Sequence, residues 1–152
     1  MLSLEQKIMA DLKVAMLAKD EAALRSLRAI KAAILLAKTA EGATGELTQD
    51  AEIKLLQKMV KQRKDSLEIF QQQSRPELAQ KEIEEIAVIE KFLPAQLDEA
   101  SLRATLVEIL ARIGAATPAD MGKAMGAANK ELAGKADGKA IAAIVKELLT
   151  PA

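Results

Sequence analysis

Leu93-Pro94-Ala95-Gln96-Leu97 breaks an otherwise helical pattern, and its reading decides how the chain is organised. Proline disfavours helical backbone at Leu93 and supplies no N–H to an intrahelical bond, so a helix arriving from the N-terminal side must stop there. Asp98, just beyond, can cap a new one. The break predicts an N-terminal segment over 1–93, a linker at 94–97 and a C-terminal segment over 98–152.

Four helices are expected before it. Ser3 with Gln6 forms a capping box ahead of Leu4, Ile8, Leu12 and Ala15, which recur at steps of four and three. Asp20 caps a second helix with the stripe Ala23, Leu27, Ile30, Ile34 and Ala37, which stops before Gly42 and Gly45. Thr48 caps a third that runs to about Gln73, with Ile53, Leu56, Val60, Leu67 and Phe70 inward. Ser74-Arg75-Pro76-Glu77 repeats the capping-box logic for a fourth, with Ile83, Ile86, Ile89 and Leu93 as its buried stripe.

Three helices follow the break. Asp98 opens the first, with Leu102, Leu106, Ile109 and Ile113 on one side and Gly114 as a C-terminal cap. Thr117-Pro118-Ala119-Asp120 opens the next, carrying Met121, Met125, Ala128 and Leu132. Asp137 opens the last, in which Ile141, Ile144 or Val145, and Leu148 face inward. No stretch alternates apolar with polar over a strand's length, so the expected fold class is all-α: a four-helix segment and then a small three-helix domain.

Composition removes most chemistry. The 152 residues contain no Cys and no His, which excludes thiol nucleophiles, imidazole acid-base catalysis and the common zinc sites. Phe70 and Phe92 are the only aromatic residues, too few for a base-stacking platform. Twenty-two basic against 22 acidic side chains leave no net charge, so an anion site must be local. The longest apolar runs, at 32–37 and 140–145, are far short of the ~20 residues that span a bilayer. Glu5 and Asp11 interrupt any export signal. A cytoplasmic protein with no membrane partner and no cofactor is the expectation.

Three features could still bind a ligand. Lys54, Lys58 and Lys61 share one helix face, with Arg63 and Lys64 close behind, spaced to meet a phosphate backbone or an acidic partner. The ordinary reading is a solvated face compensated by Glu82, Glu84, Glu85 and Glu90 of the next helix. Gly122 and Gly126, around Lys123, also share a face; either another helix packs closely there or a ligand approaches the bare backbone. Gly134-Lys135-Ala136-Asp137-Gly138-Lys139 leads into a helix N-terminus that attracts anions. It is not a P-loop, since Ala140 replaces the magnesium-binding hydroxyl and no strand precedes it. Asp137 as an N-cap would compete with a phosphate for the same donors.

Together, Met59-Val-Lys-Gln-Arg-Lys-Asp-Ser66, Arg75 with Glu77-Leu78, Lys81-Glu82, Leu93-Pro94-Ala95-Gln96-Leu97, Gly114-Ala115, Asp120-Met-Gly-Lys-Ala-Met-Gly126 and Gly134-Lys-Ala-Asp-Gly-Lys139 resemble the YqeY-like family. That family is related to the tail domain of the GatB subunit of glutamine-dependent aminoacyl-tRNA amidotransferase. Lys135 stands where many relatives carry Arg, and Gly138 where the GatB tail tends to have Pro.

The resemblance implies an N-terminal helical segment with a small three-helix domain. It also implies a non-catalytic module for tRNA or another structured RNA, because the tail is the tRNA-contacting appendage of that enzyme. On this reading Lys123, Lys135 and Lys139 contact the nucleic acid, with Lys58, Lys61 and Arg63 as a second patch. Gly122, Gly126, Gly134 and Gly138 offer close approach to backbone. The alternatives are an adaptor docking on translation or amidotransferase proteins, and an auxiliary amidotransferase, a carbon–nitrogen ligase with glutamine as amide donor, as the family label has it.

Overall fold

The computed structural model describes residues 2–40, 42 and 45–151. Among these there are seven α-helices and no strand: α1 (Leu4–Ala18), α2 (Glu21–Thr39), α3 (Gln49–Gln72), α4 (Pro76–Glu90), α5 (Glu99–Ile113), α6 (Met121–Glu131) and α7 (Gly138–Leu149). The caps explain most boundaries. The side chains of Ser3, Asp20, Thr48, Asp98 and Asp137 each accept a backbone N–H at the first turn of their helix. The α2–α3 connection holds Gly42 and Gly45, both at positive φ.

Three helices end by reversing the chain through a left-handed residue: Lys19, Ser74 and Gly114. At α3 the Ser74 N–H bonds to the Gln71 carbonyl and the Arg75 N–H to that of Phe70, which closes the helix with paired backbone bonds. This corrects the expected cap of α4. Ser74 is consumed in turning the chain, so Arg75 precedes the helix without a side-chain cap and Pro76 opens it. Ahead of α6, a short 3-10 turn at Pro118–Asp120 takes the first residues assigned to that helix. The Asp120 carboxylate there accepts the N–H groups of Ala116 and Thr117 and the Thr117 hydroxyl.

The chain divides into two compact units, 1–93 and 94–152. The first unit buries Leu4, Ile8 and Leu12 of α1, Leu27, Ile30 and Ile34 of α2, Leu56, Met59 and Val60 of α3, and Ile86, Ile89 and Leu93 from α4 onward. Ile83, expected in that stripe, is exposed. The second unit buries Leu102, Leu106, Ile109 and Leu110 of α5, Ala124 and Ala128 of α6, and Ile141, Ile144, Val145 and Leu149 of α7. Here α6 turns alanines inward and leaves Met121 and Met125 half-buried, which brings its backbone close to its neighbours. Residues 94–97 are bonded into this unit: the Leu97 N–H donates to the Lys135 carbonyl at 3.0 Å, and Gln96 Nε2 donates to the Gly134 carbonyl at 2.6 Å.

Candidate nucleic-acid interface

Helix α6 carries two glycines on its outer face. Gly122 and Gly126 are exposed, and among the described residues a Cβ added to either would meet nothing within 4 Å beyond its chain neighbours and its own helix backbone. Close helix packing, the structural explanation offered by the sequence, is therefore absent at these glycines. A helical glycine costs roughly 1 kcal/mol relative to alanine, and nothing within the chain offsets that here. Lys123 is exposed on the same side. Lys130 and Asn129 are exposed with it, since 122, 126 and 129 follow the helical repeat and 123 and 130 lie two turns apart. The sequence reading missed Lys130 and Asn129, although their spacing was there to be read.

The other two lysines lie beyond the far end of α6. Lys135 follows its last turn and Lys139 sits in the first turn of α7, both exposed. Eight residues separate Lys123 from the last residue of α6, Glu131, about 12 Å at 1.5 Å each, and Lys130 is the cation nearest that end. Asp137 Oδ1 accepts the Lys139 N–H at 3.3 Å, as its capping role predicted. Gly138 is open to solvent, but Gly134 is not: it is buried at φ 77, and its carbonyl accepts from Gln96. Its backbone therefore serves the turn and is not free for a ligand. Lys135 also borders a groove of about 620 Å³ beside α5, floored by Ile109 and Leu132, where Arg112 pairs with Glu131.

The second patch splits in two. Lys54, Lys58 and Lys61 are exposed, and among the described residues no carboxylate lies within 4.0 Å of them. Arg63 is the exception. Its Nε faces Glu85 at 3.6 Å, its Nη1 donates to the Met59 carbonyl, and its side chain is 18% exposed. Lys64 lies 3.9 Å from Glu90. The acids of α4 thus compensate the run's C-terminal end and leave its first two turns open.

Arg63 belongs to a charged junction inside the first unit. Arg25 on α2 bonds to Glu84 at 2.9 Å and approaches the same Glu85 at 3.7 Å. Glu82 adds a third carboxylate, one oxygen of which is buried without a hydrogen-bond partner. Burial, and then the Glu85 charge, push the Glu82 carboxyl above the ordinary glutamate value, against the opposing pull of Arg63 and Arg25. A raised folded-state pKa means that the native state holds this proton more tightly than the unfolded chain, so the group's contribution to stability is full at low pH and lost as pH rises through the folded value. Glu82→Gln is therefore expected to raise the melting temperature at pH 7. The gain should shrink as pH falls to the ordinary carboxylate range, as followed by circular dichroism. A pH-independent effect would show that the charge is not its cause.

A profile described as "Yqey-like protein" matches residues 5–149. The chain belongs to the YqeY-like family. Among curated proteins this YqeY-like chain is 40% identical over 100 residues to "Altered inheritance of mitochondria protein 41, mitochondrial" of Clavispora lusitaniae, over 64% of this chain and 57% of that protein. It is 38% identical over 87 residues to the protein of the same name from Pyrenophora tritici-repentis, over 57% of this chain and 46% of that one. The YqeY-like chain thus spans about half the length of the curated relatives it matches. Both relatives are named as mitochondrial, which overturns the expectation of a plain cytoplasmic location. That expectation followed from the interrupted export signal, which does not distinguish one interior compartment from another.

Proposed function

We propose that this YqeY-like protein is a non-catalytic helical module that binds tRNA or another structured RNA. Its contact surface is the outer face of α6 with Lys123 and Lys130, continued by Lys135 and Lys139; Lys58 and Lys61 on α3 form a separate second patch. The observation that carries the reading is the pair of solvent-open glycines, Gly122 and Gly126, beside exposed lysines. The missing side chains at these two positions let a sugar–phosphate backbone approach closely while the flanking ammonium groups neutralise phosphates. With no stacking aromatic available, recognition would rest on shape and phosphate contacts.

A mobility shift with bulk tRNA over a salt series tests this. Binding should weaken as salt rises, and the log–log slope should fall by roughly one for each phosphate-contacting lysine changed to alanine. No shift at low salt would reject the proposal. A second reading, a protein adaptor in translation, is favoured by Met121 and Met125, which stay half-buried beside the glycines and could repack against a partner. Capture of a defined partner that survives nuclease treatment and is lost in Met125→Glu would favour it. Release of ammonia from glutamine by the purified protein would overturn both in favour of ligase chemistry.

A further inference from the structure

Helix α1 is apolar on both sides. Its inner face buries Leu4, Ile8, Leu12 and Ala15, while its outer face carries Val14 at 65% exposure and Leu17 at 86%. Surface helices ordinarily turn polar side chains outward, whereas here Val14 and Leu17 stand exposed among Lys7, Asp11 and Lys13. The turn at Lys19 and Asp20 sends the chain directly back into α2, so the two helices lie antiparallel. Lys38 Nζ meets Glu5 Oε2 at 2.7 Å and fixes their register. Leu35 of α2 and Met9 of α1 are exposed as well. Among the described residues, seven of the ten large hydrophobic side chains that are exposed fall within residues 2–36, so exposed apolar side chains are concentrated in this helix pair and its N-terminal flank.

The charge on this face is positive. Lys7, Lys13, Arg28 and Lys31 are exposed, and among the described residues none has a carboxylate within 4.0 Å. The exposed acids of the two helices are Asp11, Asp20 and Glu21, and Asp20 is engaged as the cap of α2. A second copy of the chain would set these cations against one another. The outer surface of a helix pair is convex, with flexible aliphatic side chains and lysines whose stems can lie along apolar surface while their heads reach outward. That combination suits a fluid, anionic, half-apolar boundary.

We propose that the outer face of the α1–α2 hairpin docks on an anionic lipid surface, with Val14 and Leu17 entering the acyl boundary and Lys7, Lys13, Arg28 and Lys31 meeting the headgroup charge. Among the described residues no helix is long and apolar enough to cross a membrane, so the proposed association is peripheral. The run-length argument against a membrane partner concerns spanning segments only and does not bear on this face. The proposal is independent of RNA binding, which uses other residues.

The test is co-sedimentation of the full chain with vesicles at low salt, comparing pure phosphatidylcholine with the same lipid containing one-quarter phosphatidylglycerol. The protein should pellet with the anionic vesicles roughly fivefold or more in excess over the neutral ones. Val14→Glu with Leu17→Glu should abolish pelleting, and Lys13→Glu with Lys31→Glu should remove the preference for anionic lipid. These residues are exposed, so helical content by circular dichroism should be unchanged, and the tRNA mobility shift serves as a second check that the variants are intact. The proposal is overturned by failure to pellet with anionic vesicles, by pelleting that survives Val14→Glu with Leu17→Glu, or by a wild-type dimer in sedimentation velocity that this double variant dissociates.

Discussion

Replacing Leu106 with alanine is expected to unfold residues 94–152. Leu106 is 0% exposed at the centre of α5, in a core of twelve buried residues of which three are alanine. Truncating a fully buried leucine costs about 2–5 kcal/mol, because transfer energy is lost and a cavity remains. A single core in a unit below 70 residues rarely supplies more than about 3–5 kcal/mol in total. The two ranges overlap, so the variant should lose much of the helical signal of α5, α6 and α7 near room temperature. Limited proteolysis is the sharper readout. Cleavage should spread across residues 94–152 while a fragment of residues 1–93, with its own buried cluster, persists. A cooperative melt within a few degrees of the wild type would show that Leu106 is not central to the core.

The Gly126→Ala and Gly122→Ala pair should do two opposite things at once. Neither glycine has positive φ, and an added methyl group meets nothing within 4 Å, so no strain opposes the change. Alanine in a helix interior is favoured over glycine by about 0.8–1.0 kcal/mol; Gly126 should realise most of that, and Gly122, in the first turn, less. For a unit of this size the gain should raise the melting temperature by roughly 4–8 °C per kcal/mol. If the outer face of α6 is the proposed RNA contact, the same substitution would stand the RNA backbone off the helix, and tRNA binding should weaken as the protein becomes more stable. Stabilisation with unchanged binding would remove α6 from the interface. Destabilisation would mean that the glycines serve a packing role after all.

The α6 stripe also shows where reading along a sequence falls short. Apolar spacing placed Met121 and Met125 in the core with Ala128 and Leu132, yet the structure buries Ala124 and Ala128 and leaves the methionines half-covered. Spacing identifies a face to within a residue or so, but the width of the gap that face must fill depends on the neighbouring helices. The same limit applies to Arg63. It sits in a basic run like its neighbours, and only the placement of Glu85 across from it separates the inward arginine from the outward Lys58 and Lys61. Gly134 is a third instance, since its carbonyl is taken by Gln96, thirty-eight positions away.

Local chemistry was sufficient to determine the seven helices, most of their caps and the break at Pro94, because capping, proline geometry and helical periodicity act within a few neighbouring residues. Side chains distant in the chain decided the rest: the exposure of Gly122 and Gly126, the shared use of Glu85 by Arg25 and Arg63, and the uncovered outer face of α1. Whether a surface is covered depends on what packs against it, and that information exists only once the helices are assembled.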